Sequence, residues 1–184
     1  AIPFVLRFMI DTNIVGANWI ELPANTYQFV QGGQRATSCQ IEAVCPADRF
    51  ISHDPNLSAE FAKVAPLRIL SFDIECAGRR GHFPEPDKDP IIQIASVVTR
   101  QGESKPFIQN VFTFRESGSL PGAHIYNCTS EAQMLVEWKR FVQAVDPDLF
   151  TGYNICNFDW WYLVMRARKL KVGEFAFLGR VLNQ

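Results

Sequence analysis

The chain has 184 residues, 47% of them hydrophobic and 12% aromatic, with a formal net charge of −1. That composition excludes a disordered tail, and no apolar run approaches the roughly 20 residues needed to span a bilayer. Five scattered cysteines, Cys39, Cys45, Cys76, Cys128 and Cys156, form no C-x-x-C pair, which argues against a disulfide framework or a zinc site. The near-neutral charge lacks the basic footprint usual for phosphate binding, but leaves room for an enzyme whose acids collect cations. Beginning Ala1-Ile-Pro-Phe4 with no initiator Met, the chain is expected to be a soluble piece of a longer polypeptide.

In chain order, the first region is expected to be β-rich. Phe4–Ile10 is an apolar run of strand length, ended by the turn-prone Asp11-Thr-Asn13. Asn18–Leu22 and Thr37–Glu42 are further candidate strands, with Gly32-Gly33 marking a loop between them. Residues 45–66 carry Pro46, Pro55 and Pro66 and are expected to connect two units, with the second domain starting at Leu67.

From there the pattern predicts a strand over Leu67–Cys76, a polar loop over Gly78–Asp89, and strands over Pro90–Val98 and Pro106–Phe114. A helix follows, because Met134, Leu135, Trp138, Phe141, Val142 and Val145 repeat at three- and four-residue steps. Ser130 with Gln133 has capping-box spacing at its start, and Asp146-Pro147 should stop it. A short strand at Leu149–Tyr153 leads to a second helix from about Asp159 to Lys171, with basic residues at its end. Three strands, helix, strand and helix make an α/β order in which an antiparallel run feeds a βα unit.

The informative residues are Asp73 and Glu75 in Ser71-Phe-Asp-Ile-Glu-Cys76. Side chains two apart share a strand face, so Leu67, Ile69, Ser71, Asp73 and Glu75 line one side, and the two acids lie about 7 Å apart along the chain. The opposite side, Leu70, Phe72, Ile74 and Cys76, is apolar throughout. From the residues alone two readings of the pair stay open: hydrated acids at an emerging strand end, or hard oxygen ligands for Mg²⁺ or Mn²⁺. A third acid, Asp159, shares a helical side with Leu163, Ala167 and Leu170, and is expected to point towards the strand ends. Alone it reads better as an ordinary helix-start Asp favoured by the dipole; with the other two it suggests a site. Three inward acids suit two-metal hydrolysis of a phosphodiester, with no protein nucleophile required.

Longer strings extend this pattern. Phe72-Asp-Ile-Glu-Cys-Ala-Gly78, Phe83-Pro-Glu-Pro86, Asp89-Pro-Ile-Ile-Gln-Ile94, Thr151-Gly-Tyr-Asn-Ile155 and Asn157-Phe-Asp159 resemble the first two exonuclease motifs of family B DNA polymerases, the eukaryotic delta branch above all. Pro3–Met9, Asn18–Pro23, Asp146–Asp148 and Phe177–Val181 share in the resemblance, which covers nearly the whole chain. It implies a ribonuclease H-like 3′→5′ exonuclease domain over 67–184, a mixed sheet with flanking helices, preceded over 1–66 by part of a β-rich N-terminal domain. It implies two divalent metal ions, with Asp73 bridging both, Glu75 on the water-activating ion and Asp159 on the second. Asn154 and Phe158 match positions associated with holding the frayed primer strand; read locally, they are a turn-forming Asn and a core Phe.

The implied activity is proofreading of a single-stranded or mispaired 3′ end of DNA. Implied partners are the rest of the polymerase chain and accessory subunits, in the nucleus, without a membrane. DNA synthesis is implied only for the parent. Trp160-Trp161 stand where the delta branch has a Leu-Pro pair, and Cys156 stands where a polar residue is common, which marks the start of this helix as unusual. The family's third motif is expected beyond Gln184. The alternatives are a non-catalytic nucleic-acid-binding or scaffolding module, and an exonuclease of the same fold acting on RNA.

Overall fold

The computed structural model describes residues 2–182, so positions 183–184 of the expected second domain lie outside the described residues. The chain divides into two units, one running through Ala65 together with Arg180–Leu182, the other spanning Pro66–Gly179.

The first unit differs from its expected strands. Phe4–Thr12 is a helix, α1. Phe4 and Phe8 stack at 6.4 Å and Arg7 pairs with Asp11 at 2.7 Å, both four residues apart, and Asn13 closes the helix in the left-handed conformation at φ 55°. The apolar run reads as a strand only when its i,i+4 partners are ignored. Four two-residue strands follow: β1 (Ile20–Glu21), β2 (Gln28–Phe29), β3 (Ala43–Val44) and β4 (Ile51–Ser52). β1 pairs with β4, and β2 with β3, both antiparallel. The stretch expected to connect two units thus contributes a strand. The strand expected over Thr37–Glu42 is replaced by a single bridge from Thr37 to Val181. Glu42 there accepts hydrogen bonds from the backbone of Ala36 and Thr37, which hold its carboxyl below the usual carboxylate range. Among the described residues of this unit none is fully buried.

The second unit is a five-stranded mixed sheet with two helices. Its strands are β5 (Arg68–Cys76), β6 (Ile91–Arg100), β7 (Ile108–Phe114), β8 (His124–Cys128) and β9 (Leu149–Thr151), in the order β8-β7-β6-β5-β9. β5, β6 and β7 run antiparallel, while β8 is parallel to β7 and β9 parallel to β5. β8, absent from the sequence reading, carries the polar-rich segment His-Ile-Tyr-Asn-Cys, which lacks a strand's apolar alternation.

Helix α2 (Glu131–Val145) begins as its sequence predicts. The Ser130 hydroxyl accepts from the Gln133 N–H, while the Gln133 side chain reaches back to the Thr129 N–H. It ends at Asp146 in the left-handed region. Helix α3 (Asp159–Lys169) follows β9. Leu70, Phe72, Ile74, Ile94, Val98 and Phe112 from the sheet meet Met134, Trp138 and Val142 of α2 and Leu163 of α3 in one core. Phe72 touches Trp138 at 5.3 Å and Trp160 at 4.8 Å, so both helices cover the same sheet face. The odd-numbered residues of β5 point to the opposite face.

Candidate functional site

The alternation along β5 sorts its side chains as the sequence predicts. Leu70, Phe72 and Ile74 are buried, while Asp73 and Glu75 are exposed on the face without helices. At the acids the pairing with β6 shifts: Glu75 faces Gln93 but Cys76 faces Ile91, so β6 accommodates one extra residue. A bulge of this kind bends a strand end and re-aims its side chains.

β9 covers only the first half of β5's other edge, pairing Ile69, Ser71 and the residue between them. Beyond it the edge is taken by Asp159. Its Oδ1 accepts a hydrogen bond of 3.1 Å from the backbone N–H of Ile74, the residue between the two acids. Asp159 is 2% exposed and lies on the buried side of α3 with Leu163 and Ala167. Burial pushes its carboxyl above the usual carboxylate range; the Ile74 N–H opposes that rise, and the charge of Asp73 adds to it.

The three acids are thus gathered at one strand end, Asp159 at the edge and the others on the open face. Asp73 and Glu75 have neither an ion pair nor a hydrogen-bonded side-chain partner among the described residues. Hard, uncompensated carboxylate oxygens are the donor set that Mg²⁺ or Mn²⁺ takes. Among the described residues, however, no three His, Cys, Asp or Glu side chains are grouped tightly enough to form a ready cage. Beside Asp73 an open cleft of about 450 Å³ is lined by Ser71, Ala95, Val97, Gly152 and Tyr153. Tyr153 is 91% exposed.

The link from β9 to α3 is tight. A Cβ on Gly152 would lie 2.5 Å from the Phe72 carbonyl oxygen and closer still to Ile155 Cγ2, so only glycine permits this approach. Asn154 then turns the chain at φ 53°, its carbonyl accepting from the N–H groups of Asn157 and Phe158 and its Oδ1 from Asn157 Nδ2. The Phe158 ring is half-buried against Tyr162 at 5.4 Å and against the exposed Phe83 at 5.5 Å. The two tryptophans part company. Trp160 packs on Phe72 and Phe150, whereas Trp161 is half exposed and touches Tyr162 edge-on.

A buried polar network, not visible in the sequence, fixes the loop between β5 and β6. Arg166 of α3 binds Glu131 of α2 through two bonds of 2.7 and 2.8 Å and donates a third to the Pro86 carbonyl. Glu131 also accepts from the Ile91 N–H, and the Tyr162 hydroxyl donates to the Asp89 carbonyl. Within the loop, Asp89 accepts from the Glu85 N–H and from Arg79, which together hold its carboxyl below the ordinary range. Next to the acids, burial pushes the Cys76 thiol up to about 11, leaving it protonated at neutral pH.

The chain's similarities bear on this site. The family model described as "DNA polymerase family B, exonuclease domain" matches residues 1–184. The chain is 53% identical to the DNA polymerase delta catalytic subunit of Drosophila melanogaster over 99% of its length, and 51% identical to that of Schizosaccharomyces pombe over 98%. It spans only 17% and 16% of those two relatives. The structure of the family B DNA polymerase from the hyperthermophilic archaeon Pyrobaculum calidifontis is similar with a TM-score of 0.59 at 27% identity, covering 92% of this chain and 18% of that one. With the family model matching throughout, the chain belongs to the exonuclease domain family of the family B DNA polymerases.

Proposed function

We propose that this chain carries a proofreading 3′→5′ exonuclease site, in which Asp73, Glu75 and Asp159 hold two divalent metal ions and 3′-terminal nucleotides are hydrolysed from single-stranded or mispaired DNA. The observation that supports this reading is the hydrogen bond from Ile74 N–H to Asp159, which joins the first turn of α3 to the strand backbone between Asp73 and Glu75. A divalent pair, when bound, supplies a water activated for in-line attack and charge stabilisation at the departing 3′ oxygen.

The chain's own part is positional. β5 presents Asp73 and Glu75 from one rigid strand face, and the Ile74 N–H orients Asp159. The raised Asp159 carboxyl is an acid short of compensating charge, which a cation would supply. Asn154 and Phe158 are proposed to hold the frayed strand. The Asn154 turn sets the Phe158 ring beside Phe83, a pair of apolar faces on which an unpaired base can stack. The parent is proposed to be a replicative DNA-directed DNA polymerase working in the nucleus with accessory subunits, as the names of the relatives suggest.

A second reading, a non-catalytic nucleic-acid-binding or scaffolding module, draws on the fact that no three acids among the described residues form a ready cage. Mn²⁺ titration followed by electron paramagnetic resonance separates the two. Proposed metal ligands give saturable Mn²⁺ binding that Asp73→Ala with Glu75→Ala removes, together with Mg²⁺-dependent release of nucleotides from 3′-labelled single-stranded DNA. Binding and release that survive both substitutions would remove these acids from the mechanism.

A further inference from the structure

The helix-covered side of the sheet carries a second cleft, of about 480 Å³, between the strands and the C-terminal half of α2. That volume falls within the range of about 300–1,000 Å³ typical of small-molecule sites. Three features of its lining point to one ligand chemistry.

The first is charge. Arg68 and Arg100 are cross-strand neighbours, and no carboxylate is among the residues lining this cleft. The Arg68 guanidinium donates one bond to the Val145 carbonyl, and its backbone N–H one to Asp148. The Arg100 guanidinium lies 5.3 Å from the centre of the Phe107 ring, and its ion pair with Glu103 is an exposed one that surrenders readily to a better anion. The second is an aromatic wall, in which Tyr126 and Phe141 both pack on Phe112, at 4.6 and 5.6 Å. The third is Asn110, on β7 opposite Ser96 and His124. It is 3% exposed, and neither its Nδ2 nor its Oδ1 has a hydrogen-bond partner among the described residues. Its neighbour Ser96 is engaged by the Trp138 indole N–H at 3.1 Å. A buried amide left without partners is costly, and a ligand offering an adjacent donor and acceptor would satisfy both atoms together.

We infer that this cleft is a nucleotide-binding site separate from the three acids, with the base edge on the Asn110 amide, the ring against the aromatic wall, and the phosphate on Arg68 and Arg100. An Asn amide pairs bidentately with a base edge carrying a neighbouring donor and acceptor, as adenine does. Among small molecules a nucleotide unites that edge with an aromatic plane and an anion. The site is independent of the exonuclease reading, because it lies on the other sheet face and shares none of the proposed metal ligands.

The test is calorimetric titration with 2′-deoxyadenosine monophosphate in EDTA, so that no metal-dependent site contributes, alongside NMR of the Asn110 side-chain amide. Saturable binding is expected, shifting the Asn110 amide resonances and weakening about tenfold in Asn110→Leu, the discrimination of one bidentate pair. Asn110→Leu should melt no lower than the wild type, since it removes an unpartnered amide. Deoxyadenosine without its phosphate, and the Arg68→Gln/Arg100→Gln protein with it, should bind more weakly. Absence of saturable binding, an unmoved Asn110 amide, full affinity in Asn110→Leu, or loss of binding in Asp73→Ala/Glu75→Ala would each overturn the assignment. So would a peptide carrying an amide and an acid that binds in place of the nucleotide.

Discussion

The carboxylate of Asp159 caps the backbone N–H of Ile74 at 3.1 Å, across 85 residues of chain. It does two things at once: it satisfies a strand group that β9 leaves unpaired, and it anchors a buried acid to the backbone that joins two others. These roles have different electrical requirements. The cap needs only an oxygen, whereas a cation site needs the charge. Substitution can separate them.

Asp159→Asn keeps the acceptor and removes the charge. Burial has raised this carboxyl, so between its unfolded and folded values the native state holds a proton the unfolded chain has released. Stability from this group is therefore highest at low pH and falls as pH rises through that interval. Asp89, whose carboxyl is lowered, acts in the opposite sense, so the difference between wild type and variant isolates Asp159. In EDTA, Asp159→Asn should melt above the wild type at neutral pH, with the gap closing on acidification, and should lack nuclease activity. Parallel melting curves between about pH 4 and 7 would show that the carboxyl is not strained.

Divalent cations should stabilise the folded chain. Ions bound only by the native state add about 2.7 kcal/mol at a concentration one hundred times the dissociation constant. Differential scanning calorimetry with Mg²⁺ or Mn²⁺ should show a raised midpoint for the wild type, and none for Asp73→Ala/Glu75→Ala. Removing the ion with EDTA should restore the original value.

Arg166→Met strands Glu131 in the core with its charge uncompensated, since both side chains are about nine-tenths buried. Breaking a buried pair from one side costs about 3–5 kcal/mol. Adding Glu131→Gln to it removes the charge but keeps an acceptor for the Ile91 N–H, and should recover much of the loss. Urea denaturation of both proteins measures the difference. Equal stability of the single and double variants would mean that the ion pair contributes little.

Gly152→Ala should cost about 1–3 kcal/mol, the usual penalty of forcing an atom into packed space. The added Cβ meets the Phe72 carbonyl, one residue before Asp73, so nuclease activity should fall with stability. Gly173→Ala is the matched control, because nothing lies within 4 Å of its added Cβ. The two urea midpoints, compared directly, decide the matter.

Much of the second unit is legible in the sequence because its signals are local. The alternation in β5 exposes Asp73 and Glu75, the apolar repeat marks α2, and Ser130 with Gln133 marks its start. Asp159 could be aimed inward from helical spacing alone. What escaped depends on partners far along the chain. Glu131 and Arg166 are ordinary surface residues until folding closes 35 residues between them. β8 is polar because a parallel neighbour, not an apolar face, defines it. The strand expected at Phe4–Ile10 failed for the opposite reason: its evidence was local, but helical, in the pairs Phe4–Phe8 and Arg7–Asp11.

The brevity of β9 has a further consequence. A longer strand would zip the whole border of β5 and hand the Ile74 amide to a backbone carbonyl, shutting the gap through which α3 delivers its acid. Catalytic geometry here would owe its existence to unfinished pairing, with the glycine at 152 letting the chain leave the seam hard against the Phe72 carbonyl. Lengthening that seam by two residues should yield a sturdier, inert protein.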